Sequence, residues 1–201
     1  MKTSLAAVLI AALAQENPLL DPKSPAVNKE APAEFKVKLE TTKGDILVKV
    51  TREWAPKGAD RFYNLVKNGY YDDTRFYRVV AKFVAQWGFN GDPKISAKWR
   101  EAKLEDDPVK KSNVRGTLTF AKSGPDTRTT QLFINLRDSE ALDKQGFAPF
   151  AEVIEGMEFA DKLNSSHGNS PSQKKTLEEG NAYLDKEFKD LDRIKTAKIV
   201  E

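Results

Sequence analysis

The side chains most often recruited for covalent chemistry are scarce in this sequence. It has no cysteine and a single histidine, His167, in the polar run Ser165-Ser166-His167-Gly168-Asn169-Ser170. Without thiols there is no disulfide, thiolate metal site or cysteine nucleophile. A His-dependent triad or multi-histidine zinc site would have to recruit His167 or another chain. A lone histidine in a polar loop reads as a surface residue, so no metal and no cofactor is expected. The 33 basic and 30 acidic residues leave a net charge of +3, too balanced to imply a polyanionic partner. Their signs also alternate, as over residues 98–111, which is the pattern of a solvated face and not of a nucleic-acid interface.

The elements that position functional groups must come from one domain, since 201 residues suit a single core with terminal extensions. Residues 1–14 have the layout of a secretory signal: Lys2, an apolar run over 5–14, and the small-x-small sequence Ala12-Leu13-Ala14. That run is too short to be a stable bilayer anchor. The expectation is export, to the periplasm or beyond, with no stable membrane insertion after cleavage. Lack of cysteine fits that route without locating the protein. Residues 15–33 hold Pro18, Pro22, Pro25 and Pro32 among polar residues and read as a flexible tether, leaving the domain at 34–201.

Within the domain, alternation of apolar and polar residues predicts strands over 35–40 and 45–50, joined by a turn containing Gly44. A helix is predicted over 55–68, with Pro56 in its first turn and Gly69 closing it. Further strands are predicted over 74–80, 83–87, 116–121, 131–136, 149–154 and 194–200, with helices over 157–163 and, shorter, near 182–188. Eight short strands with two main helices point to a closed antiparallel barrel, which leaves no open sheet edge.

Three segments sharpen this pattern. Phe76-Tyr77-Arg78-Val79-Val80-Ala81-Lys82-Phe83-Val84-Ala85-Gln86-Trp87-Gly88 follows F-[HY]-R-V-[IV]-x-x-F-x-x-Q-x-G. Gly116-Thr117-Leu118-Thr119-Phe120-Ala121 and Thr130-Gln131-Leu132-Phe133-Ile134-Asn135 follow G-x-[LIV]-[SA]-[MF]-A and [ST]-Q-[FL]-F-I, apart from Thr119. Leu142-Asp143-Lys144-Gln145-Gly146-Phe147-Ala148-Pro149-Phe150 follows L-D-x-x-G-F-A-P-F, and Val153-Ile154-Glu155-Gly156-Met157 follows V-x-x-G-M. In this order and spacing, over about residues 35–200, the chain resembles the cyclophilin-type peptidyl-prolyl cis/trans isomerases, in a bacterial exported form.

The resemblance implies a mainly β fold, a cyclophilin-like closed eight-stranded antiparallel barrel capped by two main helices. It implies an isomerase that acts on proline-containing polypeptides, works without metal or cofactor, and is a monomer. Rotation about a prolyl peptide bond meets a barrier of about 18–20 kcal/mol and breaks no covalent bond. The enzyme has only to favour the twisted amide. A guanidinium, charged at any working pH and rich in donors, suits that task. By resemblance, Arg78 hydrogen-bonds the carbonyl of the substrate proline, and Gln86 holds the substrate backbone. Phe83, Val84, Phe133, Leu142 and Phe147 form the proline pocket, and Lys122 contributes through its backbone groups. Burial of one proline ring there is worth on the order of 2 kcal/mol.

The chain departs from the family pattern at several positions. Tyr77 stands where eukaryotic members carry histidine, and Val84 is smaller than the frequent methionine. Ala141 occupies a tryptophan position of cyclosporin-sensitive members, which implies weak inhibition by cyclosporin. Residues 89–113 are charged where many members are glycine-rich; a solvated loop and a wall that tunes substrate choice both remain open. Two other functions compete with turnover. A binding module for proline-containing segments would not need to keep Arg78. A small barrel carrying an apolar ligand would need a hollow interior, which cyclophilin-like barrels lack.

Overall fold

The computed structural model describes residues 17–201, so the expected signal peptide at 1–14 lies outside the described residues. Alternation over residues 34–51 becomes a hairpin of β1 (Glu34–Thr41) and β2 (Asp45–Thr51), with Phe35 opposite Val50 and Leu39 opposite Ile46. Val37, Leu39, Ile46, Val48 and Val50 point inward and are wholly buried. The turn needs Gly44, whose φ is +140° and whose missing side chain leaves room for the Phe159 ring; a Cβ there would lie 2.7 Å from it.

Seven more strands complete one antiparallel sheet: β3 (Thr74–Arg75), β4 (Arg78–Val80), β5 (Val84–Trp87), β6 (Thr117–Phe120), β7 (Leu132–Asn135), β8 (Pro149–Glu155) and β9 (Arg193–Val200). Their order is β3-β9-β1-β2-β8-β6-β7-β5-β4. The two outermost strands are therefore consecutive in the chain, separated only by Phe76 and Tyr77. The sheet curls until its edges meet at this corner. Eight strands were expected and the described residues hold nine, because the strand expected over 74–80 breaks here: β3 pairs with β9, and β4 pairs with β5. The interior is filled by side chains. Phe62 packs on Phe150 at 5.1 Å between ring centroids, and Phe150 on Phe120 at 5.2 Å.

The described residues form helices α1 (Pro56–Lys67), α2 (Pro93–Glu101), α3 (Met157–Asp161), α4 (Gln173–Glu179) and α5 (Asn181–Glu187). Ala55 supplies no side-chain cap to α1. The cap comes from far along the chain: Asp107 accepts from the amides of Lys57 at 3.1 Å and Gly58 at 2.9 Å, meeting two of the unpaired donors at the helix start. Asp107 is itself buried against Arg128, whose Nη1 donates to it at 3.0 Å.

Two expectations are corrected here. Residues 17–33 are not a loose tether: Leu19, Val27 and Ala31 are buried in the main core. Their backbone is bound as well. Asn64 and Lys29 exchange two hydrogen bonds, Asp60 accepts from the Ala31 amide, and the Trp99 indole donates to the Leu19 carbonyl at 2.9 Å. Prolines among polar residues suggested a linker, yet the few apolar residues between them suffice to dock the segment. The charged stretch over 89–113 contains α2, capped by Asp92, begun by Pro93 and held by buried Ile95 and Trp99. Helix α4 follows the polar loop that carries His167 and is capped by Ser172.

Candidate active site

Antiparallel pairing of β4 and β5 sets Arg78 directly opposite Gln86. The connecting turn is short, with Lys82 in the left-handed region at φ 55° and the Phe83 amide bonded to the Val80 carbonyl at 3.0 Å. Register then places Phe133 of β7 opposite Gln86. One residue on each of three neighbouring strands thus faces a common groove.

That groove is a cavity of about 450 Å³. Arg78 and Gln86 line it on the polar side. Phe83, Val84, Phe133, Leu142 and Phe147 supply its apolar surface, and Lys122 lines it as well. The structure therefore brings all eight residues singled out by sequence into one site. Phe133 and Phe147 meet edge-on at 5.9 Å, and the Arg78 guanidinium lies 5.9 Å from the Phe83 ring centroid. Ala141 does not line the cavity.

Arg78 is held by two partners. Its Nη1 donates to Gln86 Oε1 at 2.9 Å, and its Nε donates to Asn169 Oδ1 at 2.5 Å. Gln86, buried, donates in turn to the Tyr77 hydroxyl at 2.6 Å, and that hydroxyl donates to Gln131 Oε1 at 2.6 Å. Burial pushes the Tyr77 phenol far above its ordinary value, so it stays a neutral donor. The chain Arg78–Gln86–Tyr77–Gln131 leaves Gln86 one orientation, because each donor faces an acceptor. Gln131 is fixed by a close backbone approach: a Cβ on Gly88 would lie 2.6 Å from the Gln131 Cα and 2.4 Å from the Thr130 carbonyl oxygen.

Sequence reasoning assigned no role to Gln131, Asn169 or Tyr77. Gln131 lay inside a quoted motif, beside Phe133, and could have been included. Asn169 carried no local signal. It reaches Arg78 because Gly168 pairs with Val79 as an isolated bridge, 89 positions away (168 minus 79).

The part that the resemblance implies for Lys122 rests on its backbone groups, and its side chain is engaged within the protein. Its ammonium is turned into an ion pair with Asp106 at 2.7 Å and lies 5.4 Å from the Phe147 ring centroid. Burial alone would raise the Asp106 carboxyl, but the hydrogen bonds from Lys122 and the Asp126 amide, with the charges of Lys122 and Arg128, hold it below its ordinary value. Asn113 donates to the Phe147 carbonyl at 2.8 Å and to Asp143 at 2.7 Å, so the loop carrying Leu142 and Phe147 is clamped.

An arginine on a β-strand, braced by glutamine, faces an apolar pocket on a curled antiparallel sheet, the arrangement that the resemblance implies for a proline-directed site. Comparison with known proteins agrees. Residues 36–183 match the family model described as cyclophilin type peptidyl-prolyl cis-trans isomerase/CLD. A peptidyl-prolyl cis-trans isomerase of Acinetobacter baylyi is 32% identical over 160 residues, covering 73% of this chain and 85% of the relative. Peptidyl-prolyl cis-trans isomerase B of Escherichia coli is 35% identical over 136 residues, covering 63% and 82%. The crystal structure of a cyclophilin type isomerase from Cryptosporidium parvum shares the fold, with a TM-score of 0.64 at 24% identity over 84% of this chain and 98% of that one. The chain belongs to the cyclophilin-type peptidyl-prolyl cis-trans isomerase family, and its activity is the cis/trans isomerisation of Xaa-Pro peptide bonds.

Proposed function

We propose that Arg78 is the catalytic group and that the enzyme serves exported polypeptides. A proline ring enters between Phe83, Val84, Phe133, Leu142 and Phe147 and is held there. With the ring fixed, the segment before it is the part that turns. As the amide twists, resonance is lost and the nitrogen regains its lone pair. A guanidinium beside the prolyl carbonyl and nitrogen stabilises that state more than either planar isomer, which is the requirement for acceleration. Gln86, oriented by Tyr77, holds the backbone and keeps Arg78 in place. The observation that carries this reading is the convergence of Arg78, Gln86 and the apolar residues on one cavity. A cyclophilin type relative has been crystallised in the presence of the dipeptide Ala-Pro, which supports a prolyl ligand.

Exchange NMR on a short Ala-Pro peptide tests the assignment. The wild-type protein should cross-relax the cis and trans signals, and an Arg78→Ala variant should not; equal exchange by both would remove Arg78 from the mechanism.

Export is supported by Lys2, the apolar run over 5–14 and Ala12-Leu13-Ala14. N-terminal sequencing of protein recovered outside the bacterial cytoplasm should begin at Gln15, and retention of residues 1–14 in a cytoplasmic pool would refute it. A monomer is supported by the sparse apolar surface: among the described residues, Leu20, Ile154 and Ile199 are the exposed large hydrophobics.

A further inference from the structure

The groove continues beyond the proline pocket. Thr129, Gln131 and Gln173 line the first cavity and also a second one, of about 220 Å³, that opens between α2 and α4. Small-molecule sites usually occupy about 300–1,000 Å³. The second cavity is smaller, and suits one side chain of a longer ligand better than a free ligand.

The chemistry of its wall is one-sided. Buried Phe89 and half-buried Leu177 supply the apolar surface, and Arg100 of α2 and Lys174 of α4 supply the charges; among the described residues no carboxylate lines the cavity. Each cation has only a loose ion-pair partner. Arg100 Nε is 3.9 Å from Glu101, and Lys174 Nζ is 3.9 Å from Glu178, both at exposed positions where pairing is weak. The wall is also preformed. Trp99 anchors α2 in the core, Ser96 Oγ donates to the Asn90 carbonyl at 3.0 Å, and the Asn181 amide just after α4 donates to the Gly91 carbonyl just before α2 at 3.1 Å.

We propose that this cavity is a subsite for one glutamate side chain of the same polypeptide whose proline lies against Arg78. Arg100 and Lys174 would receive the carboxylate, and Phe89 and Leu177 would cover the methylenes, which favours glutamate over aspartate. The subsite rests on the isomerase reading of the first cavity, because it needs a client already held there.

Peptides with an Ala-Pro core and alanine flanks, in which a single Glu or Lys is walked along both flanks, test the idea. Each is measured for binding and for NMR exchange with wild type and with an R100E/K174E variant. The all-alanine peptide, which puts no charge in the second cavity, is the reference for each protein. At one flanking position, wild type should favour Glu over Lys by about tenfold at low salt, the size expected when two exposed cations attract one charge and repel the other. The preference should shrink in about 1 M salt and invert in the variant. Equal handling of Glu and Lys at every position, or a preference that survives charge reversal, overturns the subsite. If no peptide is exchanged but the Glu preference in binding persists and inverts, the subsite stands and the isomerase reading falls.

Discussion

Strands β4, β5 and β7 form one wall of the groove; the loops over 121–130 and 142–147 form the other. On the strand wall, position follows from register. Arg78, Gln86 and Phe133 face the same space because they are cross-strand partners, and the hydrogen bonds among Arg78, Gln86 and Tyr77 span at most nine residues. The loop wall is held by charge. Arg128, only 2% exposed, donates to Asp107 and to the Glu105 carbonyl and is ion-paired with Asp106 at 3.3 Å, and Asp106 carries Lys122. The same Asp107 caps α1, so the loop wall is tied to the helix that closes the core. The difference implies that the strand wall can lose a side chain and keep its shape, whereas the loop wall cannot.

Arg128→Met is the strongest test. It strands the buried Asp107 carboxylate, and removing one partner of a buried pair costs about 3–5 kcal/mol. Chemical denaturation should show a loss of that order; a loss below about 1 kcal/mol, the level of an exposed pair, would mean that the loop wall does not depend on this charge.

Arg78→Ala is the converse. Loss of one transition-state donor typically lowers turnover by about 10²–10³-fold, while a half-exposed side chain should change stability by about 0.5 kcal/mol or less. Exchange rates and a denaturation midpoint measured together decide it. A variant that unfolds instead would erase the distinction between the two walls.

A smaller effect separates the walls by pH. The Asp106 carboxyl sits below the ordinary aspartate value of 3.8, so its contribution to stability is present above that value and lost as pH falls through the lower folded value. Wild type should therefore melt at a higher temperature than Asp106→Asn near neutrality, and the two should converge as pH falls through the lowered value. A gap that stays constant with pH would show that the Lys122–Asp106 pair does not stabilise the fold.

How far each wall was legible follows from the range of the forces that build it. Arg78 and Gln86, eight residues apart and opposite each other across one hairpin, are readable from the resemblance, as are Phe83 and Val84 between them. The helix α2 left weaker traces: Asp92-Pro93 is a start signal, but Ile95 and Trp99 are its only large apolar residues. Docking of residues 17–33 was masked by their prolines, since burial of Leu19, Val27 and Ala31 depends on a surface that forms elsewhere in the chain.

The sequence by itself determined the strand succession and the two faces of the hairpins, because a strand's period of two assigns each side chain to a face before any partner is known; its resemblance to the cyclophilin-type isomerases implied eight residues that the fold brings to one cavity. Tertiary structure alone decided that the strand over 74–80 breaks at Phe76 and Tyr77 to close the sheet. It alone brought Asn169 to Arg78, Asp107 to the start of α1, and α2 beside α4 to open a second cavity. Those contacts join residues tens of positions apart through single hydrogen bonds and ion pairs. Such interactions have no periodicity along the chain, and they form only once the core has fixed where each loop must end.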